Sequence, residues 1–218
     1  MRVLKNNSMN HLKAICVIIS FILFDGILLY AQPIPVELMM GNKYGSVNLA
    51  FNRNFSQNSR FGFFHMNTVQ FYFKEESKNS FLLQDLLYFE AIKNLRVAGG
   101  VVYSKGGFNT TAGLQYVFSG KKLVFLCAPR VNIESEPSYD IMTIIQYKTP
   151  INDRVKLFTR VQALNLFDGN GNIKSYQWMR LGLEVKGVQF GLAANLDEYG
   201  PNPSLDTNLG VFIRKEIF

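Results

Sequence analysis

The sequence predicts an all-β chain that folds as an antiparallel, up-and-down transmembrane β-barrel of about twelve strands. Three observations carry this. Most of the chain alternates apolar and polar residues with a period of two. Its front resembles a removable export leader. No stretch after that leader approaches the ~18 apolar residues a spanning helix needs, so any crossing must be made by strands.

The alternation is clearest from Val188 to Asp197. Val188, Phe190, Leu192, Ala194 and Leu196 hold one phase, and Gln189, Gly191, Ala193, Asn195 and Asp197 the other. Side chains on a strand point to opposite faces in turn, so the segment has one oily and one polar face.

Residues 1–31 read as a signal peptide. Arg2, Lys5 and Lys13 form a basic front, Ala14 to Phe24 an apolar core, and Leu29-Tyr30-Ala31 a cleavage site before Gln32. Asp25 breaks the apolar run. Met9 offers a second start that gives a more usual leader length. The remainder, 32–218, is one domain's worth of chain. Losing the leader removes three basic residues and one acid and takes the net charge from +7 to +5.

That excess is spread without a basic block, so no nucleic-acid partner is expected. Cys127 is the only cysteine beyond the leader and His65 the only histidine. This excludes an internal disulfide and a His/Cys metal cluster. No cofactor is expected.

Turn residues divide the chain at even intervals. Ser119-Gly120 and Lys186-Gly187 read as two-residue hairpin turns. Lys105-Gly106-Gly107, Asp168 to Asn172 and Tyr199 to Pro203 read as longer loops. Strands are predicted at 45–53, 60–73, 81–91, 95–104, 108–118, 121–134, 139–148, 153–166, 173–185, 188–197 and 206–217. Bacterial single-chain barrels have an even strand number. Val36 to Gly41 supplies a twelfth, short strand; ten is the fallback count. With a periplasmic C-terminus, the loops at 105–107, 135–138, 167–172 and 198–205 face outward and the tight turns inward.

The faces follow from the phase. Val47, Leu49, Phe51, Leu114, Tyr116, Leu123, Phe125, Leu181, Leu183 and Val185 are assigned to lipid. Arg96, Gln115, Arg130, Lys156, Arg160, Arg180 and Glu184 are assigned to the lumen. Tyr103, Tyr116, Phe118, Tyr139 and Tyr147 fall near strand ends, where aromatic girdles sit. A soluble lipocalin-like barrel, with its oily face inward, is the alternative. Asp85, in phase with Leu83 and Leu87, and Pro129, inside a paired strand, both break the pattern; either could mark a bulge.

The leader ending Leu-Leu-Tyr-Ala-Gln, the alternating strands and the terminal Phe218 together resemble the small outer-membrane β-barrels of Gram-negative bacteria, most of all uncharacterised ones of the Bacteroidota type. The resemblance spans the whole chain after the leader. It implies residence in the outer membrane after leader cleavage, contact with outer-membrane lipid and recognition of the terminal Phe by the barrel-assembly machinery. Arg214 and Glu216 share the phase of Phe218, where that signal usually carries apolar residues.

Catalysis would have to run through His65, which shares a strand face with Asn67. A barrel hydrolase acting on lipid would gather His, Ser and Asn or Asp on one surface. Ser46, Ser80 and Ser104 are the serines to consider, and none lies two residues from His65 on its strand. Asp168 is the only acid of its glycine-asparagine loop, too few for calcium. The chain is therefore not expected to be an enzyme.

The lumen remains. One reading is a narrow channel or transport barrel whose basic interior favours anionic solutes. The other is a closed structural or interaction barrel filled by salt bridges. If strands 153–166 and 173–185 pair around the Asp168–Asn172 loop, Arg160 lies opposite Arg180, Lys156 opposite Glu184, and Phe158 covers Gly182. Like charges directly opposite repel, so the arginine pair needs an anion nearby: Glu90, Glu134 or a solute.

Overall fold

The computed structural model describes residues 34–134 and 136–217. Twelve strands close into one antiparallel barrel. They are β1 Ile34–Gly41, β2 Tyr44–Asn54, β3 Phe61–Tyr72, β4 Ser80–Ile92, β5 Leu95–Ser104, β6 Gly107–Ser119, β7 Leu123–Ile133, β8 Ser138–Pro150, β9 Val155–Asp168, β10 Gly171–Val185, β11 Val188–Tyr199 and β12 Asp206–Ile217. Each pairs with its neighbours in sequence, and β1 pairs with β12 to shut the wall. The leader reading and Phe218 lie outside the described residues.

The even strand number places the starts of β1 and the end of β12 at one rim, here the terminal rim; the opposite one is the far rim. Connections are short at both, so loop length does not distinguish the two ends as the sequence suggested. The longer ones are 55–60 at the terminal rim, and 73–79 and 200–205 at the far rim. A single 3-10 turn, Glu76–Lys78, interrupts the 73–79 connection.

The β10–β11 hairpin forms as its turn dictates. Lys186 and Gly187 have φ of 50° and 78°, the left-handed pair that a two-residue hairpin turn requires. Val185 therefore faces Val188, Leu183 faces Phe190 and Leu181 faces Leu192. In β9–β10 the expected register also holds, with Arg160 opposite Arg180, Phe158 opposite Gly182 and Lys156 opposite Glu184.

Ser119-Gly120 behaves differently. Phe118 pairs with Phe125 and Tyr116 with Cys127, so the turn is longer and takes in Lys121 and Lys122. The expected register, with Phe118 opposite Lys121, is corrected by four residues. Four is even, so every side chain keeps its assigned face. The two lysines extend the loop because solvating their charges at the rim is cheaper than stacking them in the wall.

Pro129 makes no bulge. The β6–β7 register is the same on either side of it, but the rungs at Leu114 and Gln115 are missing, whereas pairing with β8 is continuous. Proline has no N–H to donate, and the donor it lacks is the one β6 would have used. Asp85 is also explained: it lies directly opposite His65 across the β3–β4 ladder.

The oily face points outward. Leu38, Val47, Val69, Leu87, Val97, Leu114, Ile145, Val161, Leu181, Leu192, Val211 and Ile213 are all exposed on the outer wall. A lipocalin-like barrel would bury them, so the wall is built for lipid. Aromatic pairs ring both edges. Phe81–Tyr103 and Tyr139–Phe167 lie near the far rim at 5.2 and 5.9 Å between ring centres. Phe61–Phe89 and Tyr116–Phe125 lie near the terminal rim at 4.8 and 6.1 Å.

Leu181 is 55% exposed on this wall. Arginine there should destabilise the barrel by about 2–4 kcal/mol if it sits near the bilayer midplane, read as a shift in urea unfolding in lipid vesicles. A cost below ~1 kcal/mol would contradict the lipid-facing assignment. The polar phase at Ala193 is less permissive than its pattern implied, because Ala193 is buried in a lumen cluster with Met39, Phe158 and Phe212.

Candidate functional site

All the lumen residues named from sequence lie on the inner phase. Gln115, Arg130, Arg180 and Glu184 are buried, Arg96 and Arg160 nearly so, and Lys156 is half-exposed at the terminal rim. The interior falls into layers along the β8–β1 side of the wall.

Nearest the terminal rim, Glu184 gathers cations. Lys156 Nζ lies 3.0 Å from its Oε1 and Lys148 Nζ 2.9 Å from its Oε2, and Gln189 donates to it at 2.8 Å. Lys148 also reaches Glu216 at 3.4 Å. Charges here balance.

The next layer does not balance. Arg160, Arg180 and Arg214, from β9, β10 and β12, converge on Glu37 of β1. Arg180 Nε donates to Glu37 Oε1 at 2.9 Å. Arg160 and Arg214 stand 3.8 and 4.0 Å from Oε2, beyond hydrogen-bonding range. Arg180 also donates to Asn195 Oδ1 at 2.8 Å, and Arg160 to Gln162 Oε1 at 2.6 Å. The side chains of Glu37 and Arg180 are each 3% exposed. Three guanidinium charges thus share one carboxylate. The ladder from Arg180 runs through Ala193 and Gly210 to Gly41. Beside the cluster lies a cavity of about 10 Å³ lined by Glu37, Asn48, Arg160, Gln162, Trp178 and Arg180, room for about one water.

Toward the far rim, Asp197 is held by neutral donors. Tyr44 donates its hydroxyl to Oδ2 at 2.7 Å and Trp178 Nε1 to Oδ1 at 3.1 Å. The Trp178 and Tyr176 rings stack at 4.4 Å. On the remaining wall, Arg130 grips Asp140 through Nε and Nη2 at 2.7 and 2.5 Å. Arg96 faces Glu90 at 3.8 Å and lies over the Tyr88 ring. Between them sits an apolar cluster of Phe64, Met66, Leu86, Tyr88, Ala98, Leu126, Ala128 and Met142.

No protein-family model and no curated protein sequence matches the chain. Solved structures do. The NanC porin superposes with a TM-score of 0.54 at 10% identity, over 86% of this chain and 100% of that one. The KdgM porin gives 0.51 at 11% identity, again over 86% and 100%, and a further structure, titled "KdgM porin in complex with disordered oligogalacturonate", gives 0.50 at 11% over the same shares. The fold is that of the outer-membrane porins. This barrel therefore has a porin-like wall.

Two features of the interior escaped the sequence reading. The acid at the arginine pair is Glu37; Glu90 instead pairs with Arg96, and Glu134 is exposed at the end of β7. Its signal was present in the Glu37/Met39 phase of the shortest strand. The third arginine, Arg214, was visible only as an irregularity near the C-terminus.

His65 is on the outer wall, not in the lumen. Its Nδ1 lies 2.7 Å from Asp85 Oδ1, and its ring packs near Phe51 and Phe63. Ser46, Ser80 and Ser104 are all on the inner phase; Ser80 donates to Gln70 and Ser104 accepts from Gly106 N–H. The wall thus separates His65 from each serine considered for a hydrolytic triad.

Proposed function

We propose that this barrel is a narrow outer-membrane passage for small anionic solutes, with Arg160, Arg180 and Arg214 as its selective point. The carrying observation is that three arginines share the single carboxylate of Glu37 at the lumen's water-sized cavity. An excess of fixed positive charge inside a low-dielectric wall lowers the energy of an anion there and raises that of a cation. The KdgM neighbour solved with oligogalacturonate, an anionic solute by its name, is in keeping with this chemistry. Reconstituted in planar bilayers, the protein should show small currents with anion preference.

A second reading is a closed barrel with a structural or interaction role. The size of the cavity and the full burial of Met39, Met142 and Phe158 in the lumen favour it. Bilayers that stay silent at all voltages would establish it over the first.

Both readings place the chain in the outer membrane after cleavage behind Ala31. The mature protein should then be recovered with outer-membrane lipid and migrate differently in gels when left unheated. Recovery as a soluble periplasmic protein would overturn both.

A further inference from the structure

The Glu37 layer holds more donors than acceptors. Arg160 Nε and Arg214 Nε are buried without a hydrogen-bond partner, and so is Glu37 Oε2, which they approach but do not reach. A carboxylate can accept on both oxygens and is gripped best when both are engaged. Glu37 engages one, through a single bond to Arg180 Nε. Its tether to β1 holds the other oxygen short of the two remaining guanidinium groups. A free carboxylate has no such tether.

We infer that the Glu37 side chain is the resident occupant of an exchangeable carboxylate seat, and that a small solute monocarboxylate takes its place between Arg160, Arg180 and Arg214. The inference rests on the reading of the lumen as an anion passage. It adds the class of solute and the event that admits it.

The seat's surroundings set the class. Phe158, Phe212 and Met39 fill the lumen on one side, with the Arg180 guanidinium 6.0 Å from the Phe212 ring centre. Trp178 lines the cavity on the other side. A short acid with an apolar end matches both: its oxygens meet guanidinium N–H groups and its carbon end meets aromatic faces. A bulky or multiply charged anion would have to displace the aromatic packing as well as Glu37. The exchange gives up the Arg180 Nε–Glu37 hydrogen bond and offers the entering carboxylate Arg180 Nε together with the unpartnered Arg160 Nε and Arg214 Nε, and no covalent step is involved.

Glu37→Ala deletes a –CH2–COO⁻ group, which is the framework of acetate. The full mature chain in detergent micelles would be unfolded in urea with sodium acetate or, at equal ionic strength, sodium chloride. Acetate at ten times its dissociation constant should raise the folded-to-unfolded ratio of Glu37→Ala about tenfold over chloride. The unmodified protein should respond far less, because Glu37 competes, and Glu37→Ala with Arg160→Gln should lose the response. Acetate acting no better than chloride, or equally on the unmodified chain, overturns the seat. If Glu37→Ala does not fold in chloride, its folding in acetate alone supports the seat, and failure to fold in both salts overturns it. Bilayer currents on the same samples separate the two readings. Acetate rescue with silent bilayers overturns the passage and keeps the seat; currents without rescue overturn the seat and keep the passage.

Discussion

Arg160→Glu combined with Arg180→Glu should turn an anion-preferring lumen into a cation-preferring one. The unmodified layer sets three arginines against Glu37; the double variant sets Arg214 against three carboxylates. The excess charge changes sign and keeps its magnitude. The terminal-rim layer does not mask the change, since Lys148 and Lys156 are matched there by Glu184 and Glu216. The quantity to measure is the reversal potential under a salt gradient. Its sign should invert in the double variant, and Arg160→Gln alone should give an intermediate value. Cation preference in the unmodified protein would refute the reading.

Asp140→Ala should cost about 3–5 kcal/mol, because it leaves a buried guanidinium without its counter-ion. Both side chains of the Arg130–Asp140 pair are 6% exposed. Arg130 Nη1 already lacks a partner, and Arg130 lies opposite Gly113, where any side chain would run into its Cα and Cγ. Replacing both partners with leucine should recover most of the loss, since no charge then remains to be solvated. Urea unfolding of the single and double variants in vesicles measures this. A single-variant cost below ~1 kcal/mol would mean that water reaches Arg130. That result would argue for a wet lumen at this height and against the closed reading.

The parts of the fold that were legible in the sequence were those where the two faces differ in chemistry. In β10 the oily phase of Leu181 and Leu183 and the polar phase of Arg180 and Glu184 leave no ambiguity, and the turn at Lys186-Gly187 fixes the count. The arginine pair and the Lys156–Glu184 contact follow directly. In β3 and β4 the signal fails, because Phe63 and Phe64, and Leu86 and Leu87, are apolar in both phases. One of each pair faces lipid and the other packs the lumen, so alternation could not reveal an apolar interior. The Glu37 contact was hidden for a different reason. It joins residues 143 positions apart along the chain, and reading cross-strand neighbours from a hairpin reaches only the next strand. The His65–Asp85 pair could have been found: two polar residues that each violate the lipid phase on adjacent strands are candidates to satisfy one another.

The seam between β1 and β12 sets the order of assembly. Glu37 sits on that seam, directly opposite Arg214, and the three arginines belong to strands at the other end of the chain. A sheet from β2 to β12 can form hairpin by hairpin from local contacts, but its arginines then face one another with no acid among them. The one carboxylate of that layer arrives only when β1, the shortest strand at 8 residues, docks and the wall closes. Closing the two ends of so long a chain carries a large entropic cost, and an open barrel exposes two unpaired strand edges. The same contact that gives the arginines their shared carboxylate thus acts as a latch on the finished barrel. Loss of Glu37 should lengthen the lifetime of the open, edge-exposed intermediate, and slowed insertion kinetics should appear even in variants whose final structure is intact.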